Sequence, residues 1–279
     1  MTVISLLTDF GTEDEYVGLM KGVILSINPQ AVVVDITHHI APQDVIQAAY
    51  TLHSSYRYFP EGTLHLVVVD PGVGTDRSII ALEKKGHIFL APDNGVLSLV
   101  FEDGEIGEAV RVENSEFFIK PVSRTFQGRD IFAPTGAHLS TGVALKDLGP
   151  GVSAEEIVRL SLKQPTLLET GELQGSIVSI DRFGNLISNI DAALIQNLCE
   201  EGSLSVPEII AGGHRIEGLC NAYAETESGK ALAIIGSRGY LEIAVNKASA
   251  KRRFNLKRGD SIIIRVKGEK IQTKCINTP

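Results

Sequence analysis

Three short apolar runs, separated by segments of helical character, constrain most strongly how the first half of this chain folds. The runs are Val3 to Leu7, Ala31 to Ile36 and Leu64 to Val69. One helical segment starts near Thr12, and a second runs from about Asp44 to Tyr58. This β-α-β-α-β order predicts an open α/β sheet with parallel strands.

Local signals predict where these elements begin and end. Thr12 and Glu15 have the spacing of a capping box, and Asn28-Pro29 is expected to end the first helix. Ala31 to Ile36 is rich in β-branched residues, which is typical of a strand covered on both faces. The other elements predicted for this half are strands Ser78 to Leu82 and His87 to Leu90 and a helix from about Asp130 to Leu139, with Pro134 either in its first turn or at a kink.

The pattern changes beyond Gly149-Pro150-Gly151, where short apolar runs alternate with glycine-rich turns and one helix is expected near Ala192 to Cys199. This pattern predicts a small antiparallel β domain, either a sandwich or a barrel. We expect two domains, residues 1–163 and residues 164–279. The strands predicted in the second domain are Ser176 to Ile180, Leu186 to Ile190, Leu232 to Ile235, Tyr240 to Val245 and Ser261 to Val266.

Charge and cysteine content limit the function classes. The net charge of −8 argues against nonspecific nucleic-acid binding, and the one basic cluster, Lys247 to Arg253, is short. The N-terminal residues lack the basic region of a signal peptide, and no apolar run approaches the ~20 residues of a membrane span. Cys199, Cys220 and Cys275 show neither metal-ligand spacing nor a disulfide framework, so a reducing cytoplasm is expected.

The segment from Asp70 to Arg77 is the strongest candidate for chemistry. It follows a buried strand, and ligands of open α/β sheets bind beyond the carboxyl ends of strands. Pro71 restricts Asp70 to an extended backbone, while two glycines allow a ligand close to the main chain. The acid and the base can therefore converge on one pocket, or they can form an ion pair that only staples the loop.

Two further patterns also concern this edge of the sheet. Asp9 and Asp35 lie near the ends of the first two strands, so parallel strands would bring them to the same edge as Asp70. His38-His39 has metal-binding side chains, but adjacent residues on a strand point to opposite faces. We therefore favour a surface pair beside a loop for these two histidines.

Several short motifs are spread over nearly the whole chain. They are Thr8-Asp9-Phe10-Gly11-Thr12-x-Asp14, Val69 to Arg77, Ala91 to Gly95, Thr125 to Asp130, Asp181 to Asn185 and Ser237 to Leu241. Together, and in this order, they resemble one known family, the S-adenosylmethionine (SAM) hydroxide adenosyltransferases, or SAM hydrolases, which are related to the SAM-dependent fluorinase and chlorinase.

The resemblance implies a Rossmann-like N-terminal α/β domain, a smaller C-terminal antiparallel β-barrel and a homotrimer. It also implies that SAM, as substrate, binds between the N-terminal domain of one subunit and the C-terminal domain of its neighbour. The implied reaction is attack of water or hydroxide at ribose C5′, which releases adenosine and L-methionine. No metal or cofactor is implied, because the sulfonium leaving group already activates the carbon and departs neutral.

The resemblance also assigns roles to individual residues. Asp9 matches the ribose-binding acid, and its alternative role is an Asx turn before the helix. Three of the residues also have a purely structural alternative. Asp14 can be a residue at the start of the helix, Tyr223 can be an aromatic residue of the β-domain core, and Arg238 can be a solvated charge in a hairpin. The implied catalytic residues are Asp70, Arg77 and Gln127, and the implied substrate-binding residues are Asp9, Asp14, Phe126, Asp181, Phe183, Asn185, Tyr223, Ser237, Arg238 and Glu242.

Gln127 departs from the family's pattern, which has histidine at this position. A glutamine amide does not take up a proton, so it does not replace histidine as a general base. Its carbonyl oxygen can orient water, or its NH2 group can hold Asp70. Asp70 would then be the proton acceptor of the set, with Arg77 fixing its position. Asp70 also argues against halide use, since the halogenases resemble one another in carrying tyrosine there and a carboxylate repels anions.

The leading hypothesis from the sequence is a SAM hydrolase, and two alternatives remain open. The first alternative is a regulatory module that binds SAM or adenosine and has lost turnover with the histidine. The second alternative is a metal-dependent hydrolase built on Asp9, Asp35 and Asp70.

Overall fold

A computed structural model of the chain describes residues 2–102, 104–201 and 206–266. The chain divides into two compact units, Met1–Ser161 and Leu162–Pro279. Cys275 lies outside the described residues, and Cys199 and Cys220 are both free thiols. No helix within the described ranges is long and apolar enough to cross a membrane.

The first unit is built on a six-stranded sheet in the order β2-β1-β3-β5-β4-β6. The four strands β2, β1, β3 and β5 are parallel, while β4 pairs antiparallel with both β5 and β6. The predicted parallel α/β core is thus confirmed, with an antiparallel extension at one edge. The strands are β1 Val3–Thr8, β2 Val32–Thr37, β3 Leu64–Val68, β4 Ile79–Lys84, β5 His87–Pro92 and β6 Ala109–Arg111.

Helices cover both faces of this sheet. Leu66 on β3 packs in a core with α1 and α4, whereas its neighbour Val67 packs in a second core with α2 and α3. Alternation along the strand accounts for this split, because successive side chains point to opposite faces. The helices are α1 Tyr16–Ile27, α2 Val45–Ser55, α3 Ser98–Phe101 and α4 Ala133–Ser140.

Two local predictions for this unit are wrong, and a third is confirmed. The Thr12–Glu15 capping box does not form, since α1 begins at Tyr16 and Glu15 makes no side-chain cap bond. Strand β2 is not covered on both faces, because it is the edge strand and much of its surface is exposed. The helix predicted from about Asp130 to Leu139 is confirmed: a π-helical turn, Gly128–Phe132, continues directly into α4, and Pro134 lies in the first turn of α4.

The second unit is an antiparallel sheet in the order β11-β10-β14-β8-β9-β13-β12, with the short β7 paired to β8. Cys220, just after β11, donates its N–H to the carbonyl of Ala233 in β12 (2.8 Å), so the two ends of the sheet approach each other. The sheet is therefore nearly closed and barrel-like, as predicted. Its strands are β7 Thr166–Leu167, β8 Leu173–Ile180, β9 Leu186–Asp191, β10 Pro207–Ala211, β11 His214–Glu217, β12 Ala231–Ile235, β13 Tyr240–Val245 and β14 Ser261–Val266.

Helix α5 (Ala192–Glu201) follows β9 as predicted, but a second helix, α6 (Ala250–Phe254), contradicts the expectation of one helix in this unit. The Ser249 hydroxyl caps α6 by accepting the N–H of Arg252 (3.3 Å). Strands β7, β10 and β11 were also not predicted. Short runs flanked by glycines carry too little periodicity to distinguish strand from loop.

Candidate functional site

The Asp70–Arg77 loop closes on itself through the carboxylate of Asp70. Its Oδ1 accepts the backbone N–H of Gly72 (3.1 Å), and its Oδ2 accepts Nε of Arg77 (2.8 Å) and also Nη2 of the same guanidinium. The side chain of Asp70 is only 5% exposed, and that of Arg77 is 11% exposed. The structure thus brings the acid and the base together at the carboxyl end of β3, largely away from bulk water.

Gln127 joins this pair through Arg77. Its side-chain carbonyl oxygen accepts Nη2 of Arg77, the same nitrogen that bonds Asp70. A guanidinium has no acceptor, so the carbonyl end of the amide must face it. Of the two roles open from the sequence, the structure therefore does not show the NH2 group of Gln127 holding Asp70.

Close backbone packing brings the segment of Gln127 against the loop. Gly74 has φ 78°, and a Cβ there would lie 2.5 Å from the carbonyl oxygen of Arg124. In the same segment, the carboxylate of Asp130 accepts the N–H of Ser123 (2.7 Å) and also bonds Arg129. The π-helical turn starts directly after Gln127, and such turns often occur at functional sites.

Asn94 is a further residue at this site that the sequence analysis did not single out. Its amide Nδ2 donates to the carbonyl of Val69 (2.9 Å), the residue before Asp70, and its Oδ1 accepts the N–H of Val96 (3.1 Å). The Ala91 to Gly95 motif held a signal for it, since a side-chain amide in a turn is well suited to bridging two backbone segments.

Asp9 directly follows β1, and its Oδ2 accepts the backbone N–H of Gln43 (2.7 Å). Asp35 belongs to a different network, since Lys21 Nζ lies 2.7 Å from its Oδ2 and His38 Nε2 lies 3.1 Å from its Oδ1. Desolvation is the largest single effect on Asp35 and raises its pKa. The hydrogen bonds and charges of Lys21 and His38 together outweigh it, so the pKa of Asp35 lies below its ordinary value. Within the described ranges, no group of three His, Cys, Asp or Glu side chains is arranged to hold a metal ion.

The expectation of a surface histidine pair is wrong for His38. This side chain is buried, and its Nδ1 lies 2.9 Å from the hydroxyl of Thr8, the residue before Asp9. His39 is exposed as expected. His38 follows the last residue of β2 rather than lying on the strand, so the alternation argument does not apply to it.

Three aromatic rings connect the Asp9 and Gln127 segments. Phe126 packs edge-on against Phe10 (ring centroids 6.0 Å apart) and Tyr16 (5.0 Å). Phe126 is 8% exposed, whereas Tyr16 is 40% exposed. Asp14 is exposed in the segment that leads into α1.

In the second unit, the predicted binding residues surround one cleft of about 1250 Å³. Seven residues named from the sequence line it. They are Asp181, Phe183, Asn185, Tyr223, Ser237, Arg238 and Glu242.

The turn between β8 and β9 forms one wall of this cleft. Asp181 accepts the backbone N–H (2.8 Å) and the side-chain Nδ2 (2.9 Å) of Asn185, which leaves the amide oxygen of Asn185 for a ligand. Phe183 is 78% exposed at the tip, so its ring is an open stacking surface. Gly184 (φ 85°) is required because a Cβ there would lie 2.0 Å from the hydroxyl of Ser249.

The opposite wall carries a hydrogen-bonded pair of titratable side chains. The Tyr223 hydroxyl donates to Oε1 of Glu242 (2.6 Å), and burial followed by this bond raises the pKa of Tyr223 to about 12. Burial also raises the pKa of Glu242, and the negative charge of Asp181 adds to this effect, while Tyr223 and Arg238 oppose it. Arg238 is not merely solvated, since it also contacts the hydroxyl of Ser179 (3.4 Å).

A buried acid–guanidinium pair at the end of an interior parallel strand, and a β unit with an aromatic, polar cleft, define a class: a two-domain enzyme for a nucleoside-like substrate. Comparison with known families identifies the member of that class. Residues 4–149 match the SAM hydroxide adenosyltransferase N-terminal domain, and residues 175–263 match the corresponding C-terminal domain. The chain belongs to the SAM hydroxide adenosyltransferase family.

Individual relatives agree with this assignment. An (R)-S-adenosyl-L-methionine hydrolase of Thermus thermophilus is 36% identical, over 93% of this chain and 98% of the relative. A fluorinase of Nocardia brasiliensis is 32% identical, over 95% and 97%. The crystal structure of an uncharacterized conserved protein from Thermotoga maritima superposes with a TM-score of 0.86 at 38% identity, covering 94% of this chain and 99% of that one.

Proposed function

We propose that this protein hydrolyses SAM to adenosine and L-methionine by displacement at ribose C5′. The observation that carries the proposal is the part-buried, hydrogen-bonded cluster of Asp70, Arg77 and Gln127 at the end of β3, in a chain of the SAM hydroxide adenosyltransferase family. The hydrolase relatives are named for the (R) epimer at sulfur, and we extend that epimer to this chain.

The chemistry needs one proton acceptor and a positioned water. A water oxygen forms the new bond to C5′ as the C5′–S bond breaks, and the bonding electron pair stays on sulfur as neutral methionine leaves. The water proton passes to the carboxylate of Asp70, because the amide of Gln127 does not accept it. The positive sulfur already makes C5′ electrophilic, so the reaction requires neither a metal ion nor another cofactor.

Arg77 and Gln127 act by holding this acceptor in place. Arg77 bonds Oδ2 of Asp70 through Nε and Nη2, and the side-chain oxygen of Gln127 accepts the same Nη2. A preorganised, nearly dry carboxylate loses little entropy when water and C5′ meet beside it. The negative charge of Asp70 also disfavours halide at the same position, which supports water as the nucleophile.

Binding is divided between the two halves of the chain, residues 1–163 and 164–279. In the first, Asp9 accepts the ribose hydroxyls, and Asp14 and Phe126 contribute to the pocket. In the second, Phe183, Tyr223 and Asn185 contact adenine, while Asp181, Ser237, Arg238 and Glu242 hold the methionine ammonium and carboxylate.

We also propose a cytoplasmic homotrimer in which the N-terminal domain of one subunit and the C-terminal domain of its neighbour bind one SAM. The edge strand β2 exposes Val32 and Val34, and helix α1, joined to it by the Lys21–Asp35 bond, exposes Leu19 and Leu25. An apolar sheet edge is an unfavourable surface for an isolated chain, which supports contact with another copy. The net charge of −8 gives no support to a nucleic-acid partner.

One experiment separates the three candidate functions. The purified protein is incubated with SAM in ¹⁸O-labelled water and excess EDTA, and the products are followed by mass spectrometry. Hydrolysis at C5′ predicts equal amounts of methionine and adenosine, with ¹⁸O in the 5′-hydroxyl. Intact SAM with retained adenosine would instead indicate a binding module. Activity lost in EDTA and restored by a divalent cation would indicate a metal-dependent hydrolase.

The epimer is tested in the same assay. When SAM is supplied as a mixture of the two epimers at sulfur, we expect only the (R) epimer to be consumed. Consumption of both epimers at equal rates would contradict the extension from the relatives.

A further inference from the structure

The chain turns sharply between β2 and α2, and this turn places a residue with a side chain in the left-handed region. The N–H of Asp44 donates to the carbonyl of Ala41 (3.0 Å), Pro42 takes the second position, and Gln43 takes the third with φ 67°. This is the pattern of a type II turn, whose third residue is usually glycine because a Cβ is strained at positive φ. Gln43 is exposed, so burial of its side chain does not account for the choice of residue.

The backbone N–H of Gln43 makes a contact outside the turn. It donates to Oδ2 of Asp9 at 2.7 Å. Lys85 and Lys247 also have positive φ, but they lie in tight turns, after β4 and after β13, and Asn255 lies at the end of α6. Gln43 combines a strained backbone with a bond to a proposed binding residue, and strain of this kind is concentrated at functional sites.

The same loop holds both neighbours of Asp9. The carbonyl of His38 accepts the N–H of Gly11 (2.7 Å), and the ring of His38 bonds the hydroxyl of Thr8 (2.9 Å). Residues 38–43 therefore contact the Asp9 segment before, at and after the carboxylate. The backbone carrying Asp9 is fixed by the first two contacts, and the carboxylate itself is oriented by the third.

We infer that Gln43 is a positioning residue for ribose recognition, whose backbone N–H holds Oδ2 of Asp9 and turns the remaining lone pairs of the carboxylate toward the two ribose hydroxyls. A carboxylate has about four acceptor sites, and the N–H of Gln43 occupies one of them. The inference rests on the proposed role of Asp9 in ribose binding. Fixing the carboxylate in advance removes an ordering cost from binding, so the bond strengthens recognition of the diol.

The test compares the affinities of two nucleosides and removes one backbone N–H group. Dissociation constants for adenosine and for 2′,3′-dideoxyadenosine are measured by calorimetry, and their ratio reports the contribution of the diol. In one variant, residue 43 is replaced by the α-hydroxy analogue of alanine, so that an ester oxygen replaces the N–H. Gln43→Ala is its matched control, because it keeps the N–H, and Asp9→Ala removes the acceptor.

Wild type and Gln43→Ala are expected to bind adenosine at least about tenfold more tightly than the dideoxy analogue, since hydrogen bonds to a charged group are strong. Asp9→Ala is expected to bring the ratio near one. The ester is expected to lower the ratio at least about fivefold, while affinity for dideoxyadenosine stays within about twofold. An ester that keeps the full ratio, or that loses affinity for both nucleosides alike, would overturn the inference.

A second measurement needs no unnatural residue. In hydrogen-exchange mass spectrometry, the amide of residue 43 is expected to exchange faster in Asp9→Ala than in wild type, and equal rates would overturn the inference. The proposed function and the role of Gln43 can fail independently in these experiments. A wild type that discriminates the diol but leaves SAM intact contradicts hydrolysis while supporting the role of Gln43.

Discussion

At the scale of single residues, each oxygen of Asp70 has its own partner. Gly72 bonds Oδ1, and Arg77 bonds Oδ2, while the side-chain oxygen of Gln127 accepts Nη2 of Arg77. The acid and the base of this loop were predictable as a pair from their spacing around two glycines. The contact between Gln127 and Arg77 was not, because fifty residues separate them in the sequence.

Asp70→Asn tests the proton acceptor. Asparagine keeps an oxygen for Arg77 but takes up no proton, so we expect kcat to fall by roughly 10²–10⁴ while the dissociation constant for SAM changes little. Single-turnover kinetics and calorimetry measure the two quantities. Asp76→Asn, at an exposed position of the same loop, is the control and should retain activity. Unchanged turnover in Asp70→Asn would contradict the assignment.

Gln127→His tests the departure from the family's pattern. A neutral histidine can accept from Arg77 and adds a proton acceptor, so we expect kcat to rise by about tenfold or more. The pH–rate profile should also gain an ionisation near pH 6.5, with activity falling below it. Gln127→Ala loses the contact to Arg77 and should be slower than wild type. A slower Gln127→His would show that the site is built around the amide.

At the scale of elements, glycines at two turns allow backbone segments to approach more closely than a side chain permits. Gly74 meets the carbonyl of Arg124, and Gly184 meets Ser249 at the start of α6. The sequence marks both as turn residues. It does not say which segment lies opposite, because that depends on how distant elements pack.

Gly74→Ala is expected to impair catalysis beyond the strain of the backbone alone. Its Cβ would lie 2.5 Å from the Arg124 carbonyl, which pushes the loop away from the segment of Gln127. Gly62→Ala is a matched control, since Gly62 also has positive φ (80°) but nothing lies within 4 Å of its Cβ position. Both variants should lose about 1 kcal/mol or more of stability. Only Gly74→Ala should also lower kcat, and equal activities would contradict this account.

Three neighbouring strands share a buried polar chain that makes stability depend on pH. His65 on β3 bonds Ser5 on β1 (2.7 Å) and His87 on β5 (3.2 Å), and burial lowers the pKa of His65 to about 3. The unfolded chain, with a pKa near 6.5, binds the proton more readily. The stability from neutral His65 is therefore complete above pH 6.5 and is lost as pH falls toward 3.

We expect the unfolding free energy of wild type to fall between pH 6 and 4 more steeply than that of His65→Gln, by up to about 1.4 kcal/mol per pH unit. Urea denaturation at several pH values measures both slopes. Exposed His39 provides the control, since His39→Gln should leave the slope unchanged. Equal slopes for wild type and His65→Gln would contradict the effect.

At the scale of the whole molecule, the exposure of β2 is the main departure from the expected fold. Its residues predict a strand that is covered on both faces. The strand lies at the sheet edge instead, and Val34 is 36% exposed. A run of apolar residues predicts that a strand is buried. It does not indicate whether the strand is covered by its own chain or by another copy.

Val34→Lys is expected to break the proposed trimer, because a lysine on a sheet edge opposes pairing with another chain. Light scattering should show a smaller particle, and SAM hydrolysis should fall with it if a neighbour completes each site. Val158→Lys, at a similarly exposed valine outside β2 and α1, is the control and should change neither property. A Val34→Lys protein of unchanged size would contradict this interface.

The sequence by itself determined the order of elements in the α/β half, the antiparallel character of the β half and the loop that carries Asp70. These follow from short-range patterns of apolar spacing, turn residues and motifs, which act within a few residues of one another. Only the tertiary structure decided that the carbonyl oxygen of Gln127 faces Arg77, that Asp35 stands apart from the site, and that the backbone N–H of Gln43 bonds Asp9. These contacts join residues far apart in the chain, so they exist only once the sheet has brought the strand ends together.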